Sequence, residues 1–251
     1  MTISKYGDKK VTDLSDWGRP IARIIANFLK DKPVSVIQVT NLHLVLTIYC
    51  SWLILEGSMV TACALLVVKG VIDAVDGELA RIRDKPSHVG RYWDTIADSI
   101  GLFAVMCSFA VVLQWTPYVT GLIILAILFQ YSLFNYYSIA MRSLSLGDTT
   151  SRLDERTKPT AYPWEKQSTV NFFHRIYLLS FSWQDRIIAK LSGKGSESLM
   201  FEFTLSSLLG FGFQSLILLI LALTEQLDFL PELVLLFNSA VMGAVLLRSR
   251  I

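Results

Sequence analysis

Four aspartates stand out by their spacing. Asp73 and Asp76 are three residues apart, and Asp94 and Asp98 are four apart. On helices, residues at those intervals project from one face. Both pairs lie in one stretch, VKGVIDAVDGELARIRDKPSHVGRYWDTIADSIG, with a short basic link between them. Carboxylates facing one another across that link cannot all stay ionised without a cation, because repulsion and desolvation oppose it. All-carboxylate clusters suit hard divalent ions such as Mg²⁺, and two such ions are a common device for phosphoryl transfer. Gly77 and Gly90 lack side chains, so a ligand can approach the backbone there. Arg81 and Arg91 add positive charge at the rim, suited to a phosphate or pyrophosphate. The residues point to metal-dependent chemistry on a phosphate ester.

The elements that must position these residues are membrane helices. The chain has 251 residues, 53% hydrophobic and 18% charged, with a mean hydropathy of +0.48. Soluble domains carry about 25% charged residues, so this composition excludes an ordinary soluble enzyme and a disordered chain. A net charge of +2 excludes a polyanion binder driven by charge, and no nucleic-acid partner is expected. Cys50, Cys63 and Cys107 fall within apolar runs and read as packing residues, not as a disulfide framework or a zinc site. The polar N-terminus has no apolar h-region, so no cleavable signal peptide is expected.

Six apolar stretches are long enough to cross a bilayer, at roughly 35–55, 58–82, 89–114, 117–141, 198–223 and 229–247. The expected fold is an all-α integral membrane six-transmembrane-helix bundle. Residues 1–34 form a cytoplasmic N-terminus, and 35–250 the membrane domain, with 143–195 as a cytoplasmic loop and interfacial helix. Of the 23 Lys and Arg residues, 22 fall on one side of this arrangement. The other side carries Glu56, Glu225 and Asp228. The positive-inside rule then puts both termini and the aspartate face in the cytoplasm, at the plasma membrane if the source is prokaryotic. Two stretches look helical but too polar to span. In 18–30, Ile21, Ile24, Ile25, Phe28 and Leu29 form one face; in 170–191, Phe172, Ile176, Leu179, Trp183, Ile187 and Leu191 recur. Both read as amphipathic helices on the cytoplasmic leaflet, the first a juxtamembrane helix and the second an interfacial helix between spans 4 and 5. Residues 143–169 read as a flexible loop.

The pattern Asp73-x2-Asp76-Gly77-x2-Ala80-Arg81-x8-Gly90-x3-Asp94-x3-Asp98 resembles, at every fixed position, the signature of the CDP-alcohol phosphotransferases. Six spans, a juxtamembrane helix and the chain length also resemble that family. The resemblance implies that Asp73, Asp76 and Asp94 ligate Mg²⁺ or Mn²⁺, with Asp98 on a second ion and acting as general base. It implies that Gly77, Ala80, Arg81 and Gly90 surround the CDP group, and that Ser87 contacts the nucleotide-lipid. The family's Pro-Asn-x-x-Thr-like entry to span 1 is replaced here by the segment Lys32 to Asn41, in which Thr40 is the candidate nucleotide contact. The implied activity, part of phospholipid biosynthesis, moves a phosphatidyl group from CDP-diacylglycerol to a small hydroxyl acceptor and releases CMP. Inositol, inositol phosphate, serine and glycerol phosphate are candidate acceptors. A homodimer in the lipid bilayer is expected by the same resemblance. The alternatives are a choline- or ethanolamine-type transfer from a soluble CDP-alcohol to diacylglycerol, and a cation or proton-coupled transporter.

Other polar residues carry weaker signals. Lys69, four residues before Asp73, reads as its internal counter-ion, with a phosphate contact as the alternative. Arg142 suits either an acceptor phosphate or a flanking anchor. Glu202 reads as interfacial, Arg248 and Arg250 as terminal anchors, and His43 as a buried, hydrogen-bonded core histidine. An ion-pair network is disfavoured as the purpose of the aspartates, because few basic partners occur in these helices.

Overall fold

The computed structural model describes residues 5–6, 11–144, 155–192 and 199–249. Among the described residues the chain is helical, with no strand. Helix α1 (Arg19–Leu29) precedes α2 (Val36–Leu55), α3 (Met59–Ile82), α4 (His88–Val112) and α5 (Pro117–Leu144). Then come α6 (Gln167–Ser180), α7 (Ser182–Leu191), α8 (Leu199–Ser206) and α9 (Phe211–Leu223). The last helical segment, α10 (Leu227–Arg248), opens on a 3-10 turn and carries a π-helical stretch, Leu233–Phe237.

Helices α2, α4, α5 and α10 are each long and apolar enough to cross a membrane, and α8 with α9 makes a fifth span if the bent pair is one. Helix α3, with 24 residues, is long enough but carries Lys69, Asp73 and Asp76, which remove it from that apolar class. The stretch expected as one span over 198–223 is bent by 41°. The cause is extended backbone at Gly210, φ −71° and ψ 149°. The N-terminal segment lies against this break: Leu14 N donates to Ser207 Oγ (3.0 Å) and Trp17 Nε1 to Gly212 O (3.0 Å). Gln214 Nε2 donates to Leu208 O (2.7 Å), covering a carbonyl that the break frees from the helical ladder.

The expected interfacial helix over 170–191 is two helices. Phe181, at φ −122° and ψ −27°, interrupts it between α6 and α7. Of the expected loop over 143–169, residues 145–154 lie outside the described residues, as does Arg250. Residues 155–166 are irregular but fastened, by contacts described below.

Local chemistry explains the helix starts nearest the aspartates. Ser35 caps α2, accepting from Gln38 N, while the Gln38 side chain accepts from Ser35 N: a reciprocal capping box. Ser87 caps α4 by accepting from Gly90 N at 2.8 Å. Ala22 and Ala26 bring α1 against Val39, Val75 and Leu79. The C-terminal end of α1 is held by Arg83, which donates to Leu29 O, Lys30 O, Lys32 O and Val34 O at 2.6–2.9 Å. Beyond Asp98, the core is apolar, built from Ile54, Leu66, Phe109, Ile123, Leu218 and their neighbours.

Gly101 of α4 packs against Thr47 of α2. A Cβ there would lie 2.7 Å from Thr47 Cγ2. Gly101→Ala is expected to cost about 1–3 kcal/mol by overpacking. Thermal unfolding in detergent checks this, and Thr47→Ser, which deletes the offending methyl, is expected to restore most of the loss.

Candidate active site

Three helices meet at the aspartates. Asp73 and Asp76 come from the C-terminal half of α3, Asp94 and Asp98 from α4 about two and three turns after its cap, and Thr40 and His43 from α2. The expected helical spacing of both pairs therefore brings them together. Asp76 is the deepest, its side chain 10% exposed against 39% for Asp98. Thr40 Oγ1 donates to Asp76 Oδ2 at 2.8 Å. The His43 ring Nε2 lies 3.3 Å from Asp94 Oδ1, 3.4 Å from Asp73 Oδ1 and 3.9 Å from Asp76 Oδ2. Donor atoms of His43, Asp73, Asp76 and Asp94 all lie within 4.8 Å of one another. Asp73 Oδ1 is buried with no hydrogen-bond partner. Hard carboxylate oxygens and one imidazole at this spacing fit a divalent ion.

His43 is buried and hydrogen-bonded, as expected of a core histidine, but its place is among the carboxylates. Lys69 is also inside the cluster. Its Nζ is 3.4 Å from Asp73 Oδ1, the expected counter-ion contact, and 2.5 Å from Asp98 Oδ1, which the expectation did not include. Two basic groups thus enter the acidic site from inside the bundle. A cavity of about 100 Å³ adjoins Lys69 and Asp98, lined mainly by Leu, Val, Met and Ile side chains with Gln130, Tyr131 and Gln214.

The rim residues are held by acids that spacing did not single out. Arg81 Nη2 donates to Glu78 Oε1 at 2.9 Å, and the same buried Glu78 takes Arg19 and Arg23 from α1. A Cβ at Gly77 would stand 3.2 Å from Arg81 Nη2, so glycine leaves room for that guanidinium. Ala80 is half-buried beside it. Arg91 forms a two-pronged pair with Glu155, which also receives Tyr92 Oη at 3.3 Å. Ser87 donates to Glu165 Oε1 at 2.7 Å, and Val89 N donates to the same oxygen at 2.9 Å. A Cβ at Gly90 would press on Ser87 Oγ at 3.1 Å. Trp164 Nε1 donates to Pro86 O, so the loop carrying Glu155 and Glu165 is tied over the start of α4. Arg142 lies in the last turn of α5, its Nε donating to Ser138 O at 3.3 Å. Glu202, expected at an interface, is fully buried in α8.

Several apolar helices of membrane-crossing length, with a buried cluster of aspartates and basic groups between them, define an integral membrane protein built around a polar centre. The CDP-alcohol phosphatidyltransferase family model matches residues 35–192, and the chain belongs to that family. A search of curated proteins finds no match. The family transfers substituted phosphate groups from CDP-alcohols in phospholipid biosynthesis. The match begins at the cap of α2 and ends just past α7, so it includes every aspartate of the cluster.

Proposed function

We propose that this protein transfers a phosphatidyl group from CDP-diacylglycerol to a small hydroxyl acceptor at the cytoplasmic membrane face. The observation that carries this is the convergence of Asp73, Asp76, Asp94 and Asp98 beside Thr40, with donor atoms spaced for a cation.

Asp98 is the general base. It is the most open of the four carboxylates and stands outside the compact donor set. It takes the proton of the acceptor hydroxyl as that oxygen attacks the β-phosphorus. The bond between β-phosphorus and the bridging oxygen breaks, and CMP leaves. Asp73, Asp76 and Asp94 would hold a divalent ion, which would neutralise charge on the pyrophosphate. Arg81, turning over Gly77, donates to the diphosphate; Ser87, Ala80, Gly90 and Thr40 shape the nucleotide end.

The membrane placement has its own support. Helix α3 is the sixth span: at 24 residues it is about 36 Å long, and its Lys69 and Asp76 are buried in the bundle instead of facing lipid. Ile21, Ile24 and Phe28 of α1, and Phe172 and Leu179 of α6, are exposed apolar side chains on helices that also carry charges, as in a helix lying on a leaflet.

The test uses purified protein in detergent with Mg²⁺ or Mn²⁺, CDP-diacylglycerol and a panel of radiolabelled acceptors. Release of CMP coupled to one labelled lipid is the expected result. Label transfer only from CDP-choline or CDP-ethanolamine to diacylglycerol would reverse the donor assignment. No CMP with any acceptor, together with cation flux in vesicles, would replace the enzyme with a transporter.

A further inference from the structure

Lys69 stands where a second cation would have to sit. Its side chain is 5% exposed, and its Nζ is 2.5 Å from Asp98 Oδ1 and 3.4 Å from Asp73 Oδ1. It thereby bridges the carboxylates of α3 and α4. Phe211 of α9 closes the other side, its ring centroid 4.4 Å from Nζ. The compact donor set is a different one, His43, Asp73, Asp76 and Asp94, and Asp98 is not part of it.

A divalent ion shared by Asp73 and Asp98 would need to lie about 2.0–2.6 Å from an oxygen of each. The ammonium already occupies that space, and two cations there would repel strongly in a buried site. Leu66 and Phe211 line the adjoining cavity together with Lys69 and Asp98.

We propose that this centre takes a single divalent ion, on His43, Asp73, Asp76 and Asp94, and that the Lys69 ammonium on Asp98 does the work of a second. The inference rests on the metal-dependent reading above and narrows the two-ion expectation. Chemically, the ammonium would neutralise charge beside the base without opening a coordination position. It would also make the ion count a property that one side chain controls.

Mn²⁺ titration of the detergent-purified full chain, followed by equilibrium dialysis and electron paramagnetic resonance, reads this without turnover. The wild type is expected to bind one Mn²⁺ per chain with an uncoupled six-line spectrum. Lys69→Met, which keeps length and removes charge, is expected to bind two, with the broadened spectrum of a coupled pair. Two coupled ions in the wild type would overturn the proposal, and this measurement needs no variant to fold. One ion in both proteins would overturn the role of Lys69, with Lys69→Gln as a second variant should Lys69→Met be unstable. No Mn²⁺ bound by the wild type would sink the metal-dependent reading itself, a failure distinct from the wrong count.

Discussion

Asp98→Asn is expected to lower CMP release by about 10²–10⁴-fold, the usual contribution of a positioned base. The substitution keeps side-chain volume and removes the negative charge, and with it the ability to accept a proton. The bundle is expected to survive it. Asp98 is outside the four-donor set, and Lys69 keeps Asp73 at 3.4 Å when its partner at 2.5 Å becomes an amide. The informative measurement is therefore a pair: CMP release, and Mn²⁺ affinity of the same sample. Lost turnover with retained affinity separates proton transfer from ion binding. Near-normal turnover would remove Asp98 from the base role, and lost affinity would make it a ligand instead.

The second large effect falls on stability. Glu78 is 4% exposed and accepts from Arg19, Arg23 and Arg81. Glu78→Gln leaves Arg19 paired with Asp16 alone and takes from the largely enclosed Arg81 the carboxylate three residues before it. Removing one partner from a buried ion pair costs about 3–5 kcal/mol; Arg23, half-exposed, adds little to this. A lowered melting temperature in detergent is expected, with α1 detaching first because two of the three arginines belong to it. Faster tryptic cleavage after Arg23 reports that detachment directly, since Pro20 protects the bond after Arg19. If the variant melts and resists trypsin like the wild type, α1 is held by Ala22, Ala26 and the Arg83 contacts alone.

The parts that were legible in the sequence are those governed by local rules. Apolar runs place α2 to α5 within a few residues of their observed ends. The spacing of Asp73 with Asp76 and of Asp94 with Asp98 sufficed to put all four on facing surfaces. What stayed hidden depends on partners far apart in the chain. His43 reads as an isolated polar residue in an apolar run until α2 is set against α3 and α4. Lys69 shows its neighbour Asp73 in the sequence, one turn away, but not Asp98, 29 residues on. Glu78 sits within the motif yet matters through arginines 55 and more residues upstream. The bend at Gly210 was invisible for the same reason, since the contact that accompanies it comes from the N-terminal segment.

Arg83 was counted among the positive charges that orient the chain, yet its guanidinium is committed to four carbonyls between Leu29 and Val34. Insertion direction responds to charge alone, whereas this clasp needs a planar fork with several donors. Arg83→Lys therefore separates two stages in the life of the protein. The variant would enter the membrane in the same direction as the wild type and then assemble poorly, with the α1–α2 turn loose. On the proposed topology a single residue serves first as an address and later as a fastener.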